Sequence, residues 1–234
     1  MPLIAQVFLA VTITASTVGS FIALSPPNPS ERSSKIDDGI HLLARKPSRV
    51  LLMAPFVLLS LHVCSLAYFY PNIPIAIYGY GEENRLNIGL ITWSAATSIP
   101  LALILCVGVP IRLVSYASLG KNFTFDLAEP DRLVTDGIYR YLQHPSYTGA
   151  LVLAICNTIL LGRVDGALSC WIPPQWHQTV QNLWWWFVAP AGYSLFIFAA
   201  WTRMSQEESM MLTTFGAQWE RWHATTARLI PWIF

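Results

Sequence analysis

The sequence predicts an all-α, polytopic integral membrane protein with about five transmembrane helices. Three observations predict it. Of the 234 residues, 54% are hydrophobic and only 12% charged, about half the roughly 25% usual in soluble domains. Five apolar segments each approach the roughly 20 residues needed to cross hydrocarbon. The basic residues alternate between the connections in the way the positive-inside rule requires.

In chain order, the first apolar segment runs from about Leu3 to Leu24. It lacks a basic n-region and ends at SFIALSPP, a poor cleavage site, so it is expected to be retained as a span. Ser25 to Arg49 is a polar loop. The second span covers roughly Val50 to Tyr70 and the third Leu86 to Val109, with a kink expected at Pro100. Ile111 to Gly120 reads as a helical continuation into the interface, and Lys121 to Gln143 as the long polar connection of the second half. The fourth span is Tyr147 to Leu161, begun by Gln143 to Ser146, and the fifth is Leu183 to Thr202. Residues 1–234 thus read as one membrane domain, with three spans in 1–110 and the remainder in 111–234.

Twelve of the fourteen Lys and Arg residues fall in alternate connections, and only Arg85 and Arg163 in the others. The basic connections include Ser25 to Arg49, Lys121 to Gln143 and the tail, which are therefore expected on the cytosolic side. Tyr68, Tyr70, Tyr78, Tyr80, Trp184, Trp185 and Trp186 then fall at the opposite interface, where aromatic belts form. The net charge of +1 points away from nucleic acid. Cys64, Cys106, Cys156 and Cys170 lack metal-ligand spacing and read as packing residues, so no metal is expected.

Two polar stretches stand at the cytosolic ends of spans. In LVTDGIYRYLQHPSYTG, Leu133 to Gly149, Asp136-Gly137 is a turn signal and Gly137 permits positive φ. Pro145 biases His144 out of the α region and suits the first turn of a helix. That helix start would present a positive dipole end able to receive a carboxylate. In RMSQEESMMLTTFG, Arg203 to Gly216, Arg203 and Glu207 share a helical face and Glu208 sits beside them. Taken singly, these are a turn with a Pro-started helix and an i,i+4 ion pair. Trp219, Trp222, Leu229 and Trp232 read as an amphipathic, membrane-lying tail.

Together, GxYxxxxHPxYxG before one span, RxxxEExxxxxxFGxxWxxW after the next and the closing RLIP resemble the isoprenylcysteine carboxyl methyltransferase family. The resemblance covers roughly Leu119 to the C-terminus. It implies a multi-pass, S-adenosylmethionine-dependent enzyme of the endoplasmic reticulum membrane whose active site, in the cytosolic C-terminal half, methylates the C-terminal carboxylate of prenylated cysteine in processed CaaX proteins. By resemblance, Asp131, Arg132, Leu133 and Val134 form a cofactor-binding strip, with Tyr139, His144, Pro145, Ser146 and Tyr147 as further cofactor contacts. Glu207 is similar to the family's cofactor-contacting glutamate and Arg203 to the arginine facing the substrate carboxylate. Two residues depart from the pattern: Gln143 stands where many members have Arg, and Asp131 where some have His. Gln143 removes a cation near cofactor or carboxylate and bears on substrate more than on fold.

The residue types suit this chemistry. An α-carboxylate, with a pKa of roughly 3.3–3.7, is already ionised at neutral pH, so no general base is required. Attack on a sulfonium methyl neutralises charge, which leaves catalysis to positioning and desolvation. Arg203 can hold the carboxylate and leave a lone pair free. A site at the membrane surface with a lateral opening would admit a water-soluble cofactor and a lipid-borne farnesyl or geranylgeranyl chain.

Three other readings stay open. A phospholipid or other small-lipid methyltransferase of the same superfamily would need a base for its amine, from His144 or Glu208. A steroid 5α-reductase-like enzyme would bind NADPH instead. An inactive membrane homologue or scaffold would bind cofactor without turnover.

Overall fold

Hydrocarbon offers no partner to a backbone amide, so an apolar chain segment satisfies its own hydrogen bonds by coiling into a helix. The structure, a computed structural model, describes residues 3–28, 46–124, 127 and 129–230. Helix α1 is Ile4–Ala23 and α2 is Lys46–Phe69. Helices α3 (Ala95–Leu103) and α4 (Val109–Leu119) join through a π-helical turn, Ile104–Gly108. Helix α5 is Pro145–Leu161. Helices α6 (Pro174–Leu183) and α7 (Ala189–Phe215) join through a second π turn, Trp184–Val188, and α8 is Ala217–His223. Among the described residues the only β pairing is an isolated parallel bridge between Leu142 and Ala227.

The all-α expectation therefore holds, and each predicted apolar segment contains a helix. The runs Ile4–Ala23, Ile88–Asn122 and Pro174–Phe215 are long and apolar enough to cross a membrane, while Met53–Phe69 and Pro145–Leu161 are shorter apolar helices. Two boundaries differ from the sequence reading. The third span starts at Ala95, because Ser94 caps it: its hydroxyl accepts from the Ala96 amide at 3.0 Å while Thr97 Oγ1 accepts from the Ser94 amide at 3.1 Å. The helical continuation expected over Ile111 to Gly120 is present as α4, and Arg112 within it is buried. The fifth span is the middle of a continuous run from Pro174 to Phe215.

Each of the two longest runs carries a proline just after a π turn. Pro110 and Pro190 each lack an amide hydrogen and would press on the carbonyl four residues back. In both places a π turn directly upstream widens the coil, a recognised response to such a clash. Pro100, where a kink was expected, sits inside α3 without a π turn of its own.

Leu9, Ile13, Val63, Leu66, Leu101, Ile104, Leu153 and Leu160 form the core between α1, α2, α3 and α5. Polar pairs stitch the same seams: Thr17 to Ser60, and Asn157 Nδ2 to Ser20 Oγ at 3.1 Å. Within a membrane such pairs contribute about 0.6 kcal/mol each. Helices α4 and α5 cross closely because Gly149 has no side chain; a Cβ there would stand 2.8 Å from Arg112 Cγ and 3.0 Å from the Gly108 carbonyl oxygen.

The connections alternate between two ends of the bundle. At one end the Asn28 amide donates to the Gly120 and Phe123 carbonyls, both at 2.7 Å, and Arg112 Nε donates to the Ala23 carbonyl at 2.9 Å. At the other, Asn84 Nδ2 donates to the Ser169 and Ile172 carbonyls at 2.7 Å, and Trp93 Nε1 to the Ala5 carbonyl at 2.8 Å. Both motif stretches lie at the first end. The Trp184–Arg203 stretch of helix rises about 28 Å at 1.5 Å per residue, close to the thickness of the hydrocarbon. Arg32, Lys35, Arg45 and Trp232, used in the charge and tail readings, lie outside the described residues.

Helix α7 stands apart from the core. Among its described residues only Arg203 and Met204 are buried, while Leu195, Ile197 and Phe198, with Trp186 and Phe187 of the π turn before it, present their side chains outward, as a lipid-facing wall does.

Candidate functional site

The site begins with a turn. Gly137, at φ +57°, lets the chain reverse into the 3-10 turn Gly137–Arg140, which buries Tyr139. Burial drives the Tyr139 hydroxyl far above its ordinary pKa, so it remains a neutral phenol. The chain then reaches His144 (φ −124°, ψ 56°), which lies outside the α region that a following proline disfavours. Pro145 opens α5, where its missing amide hydrogen costs nothing.

The first turn of α5 projects Ser146 and Tyr147 toward neighbours. Arg112 Nη1 donates to the Ser146 hydroxyl at 2.5 Å and to its carbonyl at 3.2 Å, fixing the start of α5 against α4. The Tyr147 hydroxyl donates to Glu207 Oε1 at 2.8 Å, bridging to α7. Arg203 Nε stands 3.4 Å from that same oxygen, the i,i+4 pairing that the sequence spacing anticipates. His144 faces both acids, with Nδ1 3.7 Å from Glu207 Oε2 and Nε2 3.1 Å from Glu208 Oε1. To bond that carboxylate, Nε2 carries a ring proton.

The tail closes the remaining side. It turns back after α8 and lies along residues 142–144: the Gln143 amide donates to the Ala227 carbonyl at 2.8 Å and the His144 amide to the Arg228 carbonyl at 3.0 Å. Trp222 Nε1 donates to the Tyr139 carbonyl at 3.0 Å, and Thr148 Oγ1 to the Leu229 carbonyl at 2.7 Å. Trp219 is buried and stacks on His223. These residues face the site, so the expectation of a membrane-lying amphipathic tail gives way to a folded-back one. Packing against residues 139–144 offers the indoles both apolar surface and a carbonyl to bond, which lipid does not.

Between these elements lies a cavity of about 330 Å³, within the roughly 300–1,000 Å³ typical of small-ligand sites. Arg132, Leu133, Val134, Tyr139, His144, Ser146 and Tyr147 line one side and Arg203 and Glu207 the other. Nine of the eleven residues singled out from sequence therefore meet around one space. The other two do not line it. Asp131 is exposed and pairs with Lys121 at 2.5 Å, and Pro145 is buried as the first residue of α5. Sequence reading did not reach Arg112, Trp219 or Trp222, which also line the cavity, nor the apolar wall of Phe196, Ala199 and Ala200 on α7. A single arginine interrupting the otherwise apolar VPIRLVSY was the available signal for Arg112. Among the described residues no cluster of His, Cys, Asp or Glu has metal-binding geometry.

Residues 101–172 match the isoprenylcysteine carboxyl methyltransferase family, a stretch that holds α4, the 3-10 turn, the His-Pro pair and α5 but not Arg203 or Glu207. The chain is 28% identical over 134 residues to a protein-S-isoprenylcysteine O-methyltransferase of Schizosaccharomyces pombe, covering 55% of this chain and 47% of that one. It is 38% identical over 64 residues to a Dictyostelium discoideum protein of the same name, 26% of this chain and 27% of that one. Against protein-S-isoprenylcysteine O-methyltransferase A of Arabidopsis thaliana it is 33% identical over 63 residues, 25% of this chain and 32% of that one. The chain thus spans half or less of the length of these relatives. No solved structure matches it.

Proposed function

We propose that this chain, which matches the isoprenylcysteine carboxyl methyltransferase family over residues 101–172, belongs to that family and transfers a methyl group from S-adenosylmethionine to the C-terminal carboxylate of prenylated cysteine. The observation that carries this reading is the convergence of Arg203 and Glu207 with His144 and Tyr147 on one cavity. The donor set suits such a methyl donor. A cationic sulfonium and ammonium fit beside the carboxylates of Glu207 and Glu208, and the faces of Tyr147, Trp219 and Trp222 favour both cations and a flat heterocycle.

When bound, S-adenosylmethionine supplies an electrophilic methyl group. The chain's own residues supply position. Glu207 is held by Tyr147 and Arg203, so its charge stays fixed next to the cavity. Arg203, buried in the wall of α7, offers its guanidinium to an acceptor carboxylate, which is ionised at neutral pH and needs no base. Phe196, Ala199 and Ala200 give the cavity an apolar flank along α7, suited to a prenyl chain arriving from lipid. The reading puts the protein in the endoplasmic reticulum membrane with this end facing the cytosol, which the clustering of basic connections at one end supports. Its partners are then prenylated CaaX proteins.

The test is transfer of labelled methyl from S-adenosylmethionine to N-acetyl-S-farnesylcysteine or its geranylgeranyl analogue by the purified protein. A base-labile methyl ester is the expected product. Donor binding with neither acceptor methylated would overturn the acceptor assignment. One observation favours a second reading: His144 bonded to Glu208 has the form of a base that an amine acceptor requires, so phosphatidylethanolamine belongs in the same assay.

A further inference from the structure

Gln143 and Arg228 have no role in the reading above, yet they connect the tail to the site. Gln143 is buried, and its carboxamide is used on both sides. Nε2 donates to the carbonyl of His223 at 3.1 Å and to that of Thr226, while Oε1 accepts from His223 Nδ1 at 2.8 Å. An arginine could donate to both carbonyls but offers no acceptor to the imidazole. The carboxamide is therefore matched to the tail and not directed at a substrate carboxylate.

The segment it fastens carries Arg228. The guanidinium reaches Glu208 Oε2 at 3.0 Å and lies over the Trp201 ring, 5.7 Å from its centroid. The other oxygen of Glu208 holds His144 Nε2. A carboxylate with one oxygen on a fixed cation and the other on an imidazole nitrogen sets the ring's tautomer and its rotation together, as an orienting acid does for histidine elsewhere.

We propose that Arg228 is a positioning residue for methyl-donor binding, acting through Glu208 to orient His144, and that Gln143 is the clasp that keeps the tail where Arg228 can do so. This rests on the methyl-donor reading of the cavity.

The experiment measures the dissociation constant of S-adenosylhomocysteine for the full chain in lipid nanodiscs. Arg228→Ala should weaken binding about tenfold, Arg228→Lys should restore part of it, and Glu208→Gln should weaken it similarly. Because Arg228 acts through Glu208, the double variant should resemble a single one, about tenfold rather than about a hundredfold. Multiplying effects, or Arg228→Ala binding as the wild type does, would overturn the proposal while leaving the cofactor reading intact. Failure of the wild type to bind S-adenosylhomocysteine would remove that reading and this proposal with it. The clasp has its own readout. Gln143→Glu, which keeps the shape but loses the donor, should speed hydrogen exchange at the Gln143 and His144 amides; unchanged exchange would sink it.

Discussion

The hydroxyl of Tyr147 on α5 donates to the carboxylate of Glu207 on α7 at 2.8 Å, a hydrogen bond that links the two motif-bearing helices. It joins a residue of the family-matched stretch to one beyond it. Removing the hydroxyl leaves a carboxylate short of one charged hydrogen bond, an effect of roughly 1.5–3 kcal/mol, or about 10- to 150-fold. Tyr147→Phe is therefore expected to weaken S-adenosylhomocysteine binding by that factor with the fold intact, read by calorimetry beside a melting curve.

Arg203 and Glu207 should separate by substrate. Arg203→Lys keeps the charge but loses the planar fork, so it should raise KM for the prenylcysteine acceptor about tenfold or more and leave donor affinity nearly unchanged. Glu207→Gln should do the reverse. If both variants affect only the acceptor, Glu207 has been given the wrong partner.

Gly149 sets the approach of α5 to α4. Alanine there meets the Arg112 side chain and the Gly108 carbonyl at 3.0 Å or less, and overpacking of this kind costs roughly 1–3 kcal/mol. Gly149→Ala should lower the melting temperature in detergent, and activity should fall with it because Arg112 also holds the start of α5.

At the opposite end of the bundle, burial disfavours the charge on Asp165, but the hydrogen bonds from Arg163 and Asn87 outweigh it and hold its carboxyl below the ordinary value of 3.8. A depressed folded-state pKa contributes stability above the ordinary value that is lost as pH falls through the lowered one. Wild-type melting temperature should thus drop as pH falls below about 4, and Asp165→Asn should show a shallower drop from a lower starting value. Equal acid slopes in the two proteins would count against this pairing.

Much of the site was legible because it is local. The Gly137 turn, the non-helical His144 before Pro145, and the Arg203–Glu207 face each depend on residues within a few positions of one another. The apolar run of the third span was legible, but not that its α-helix begins only at Ala95, where the Ser94–Thr97 cap sets the start after a 3-10 turn at Ile88–Leu90. What sequence could not give were the long-range pairings. Nothing near Gln143 announces His223 and Thr226, and Trp222 looks like an interfacial residue until the Tyr139 carbonyl is beside it. The burial of Arg112 was not legible either, because its partner, the end of α1, lies far away in sequence.

The scant burial of α7 has a physical consequence for how this molecule holds together. Arg203 and Met204 are its only buried residues among those described, and its principal bonds to the bundle are the polar ones of the site. A small molecule filling the cavity would add the apolar and charged contacts that the helix otherwise lacks. Occupancy and docking of α7 then become a single equilibrium, in which a ligand stabilises by RT ln(1 + [L]/Kd). The bilayer enters the same balance, since its acyl chains form the other wall of that helix.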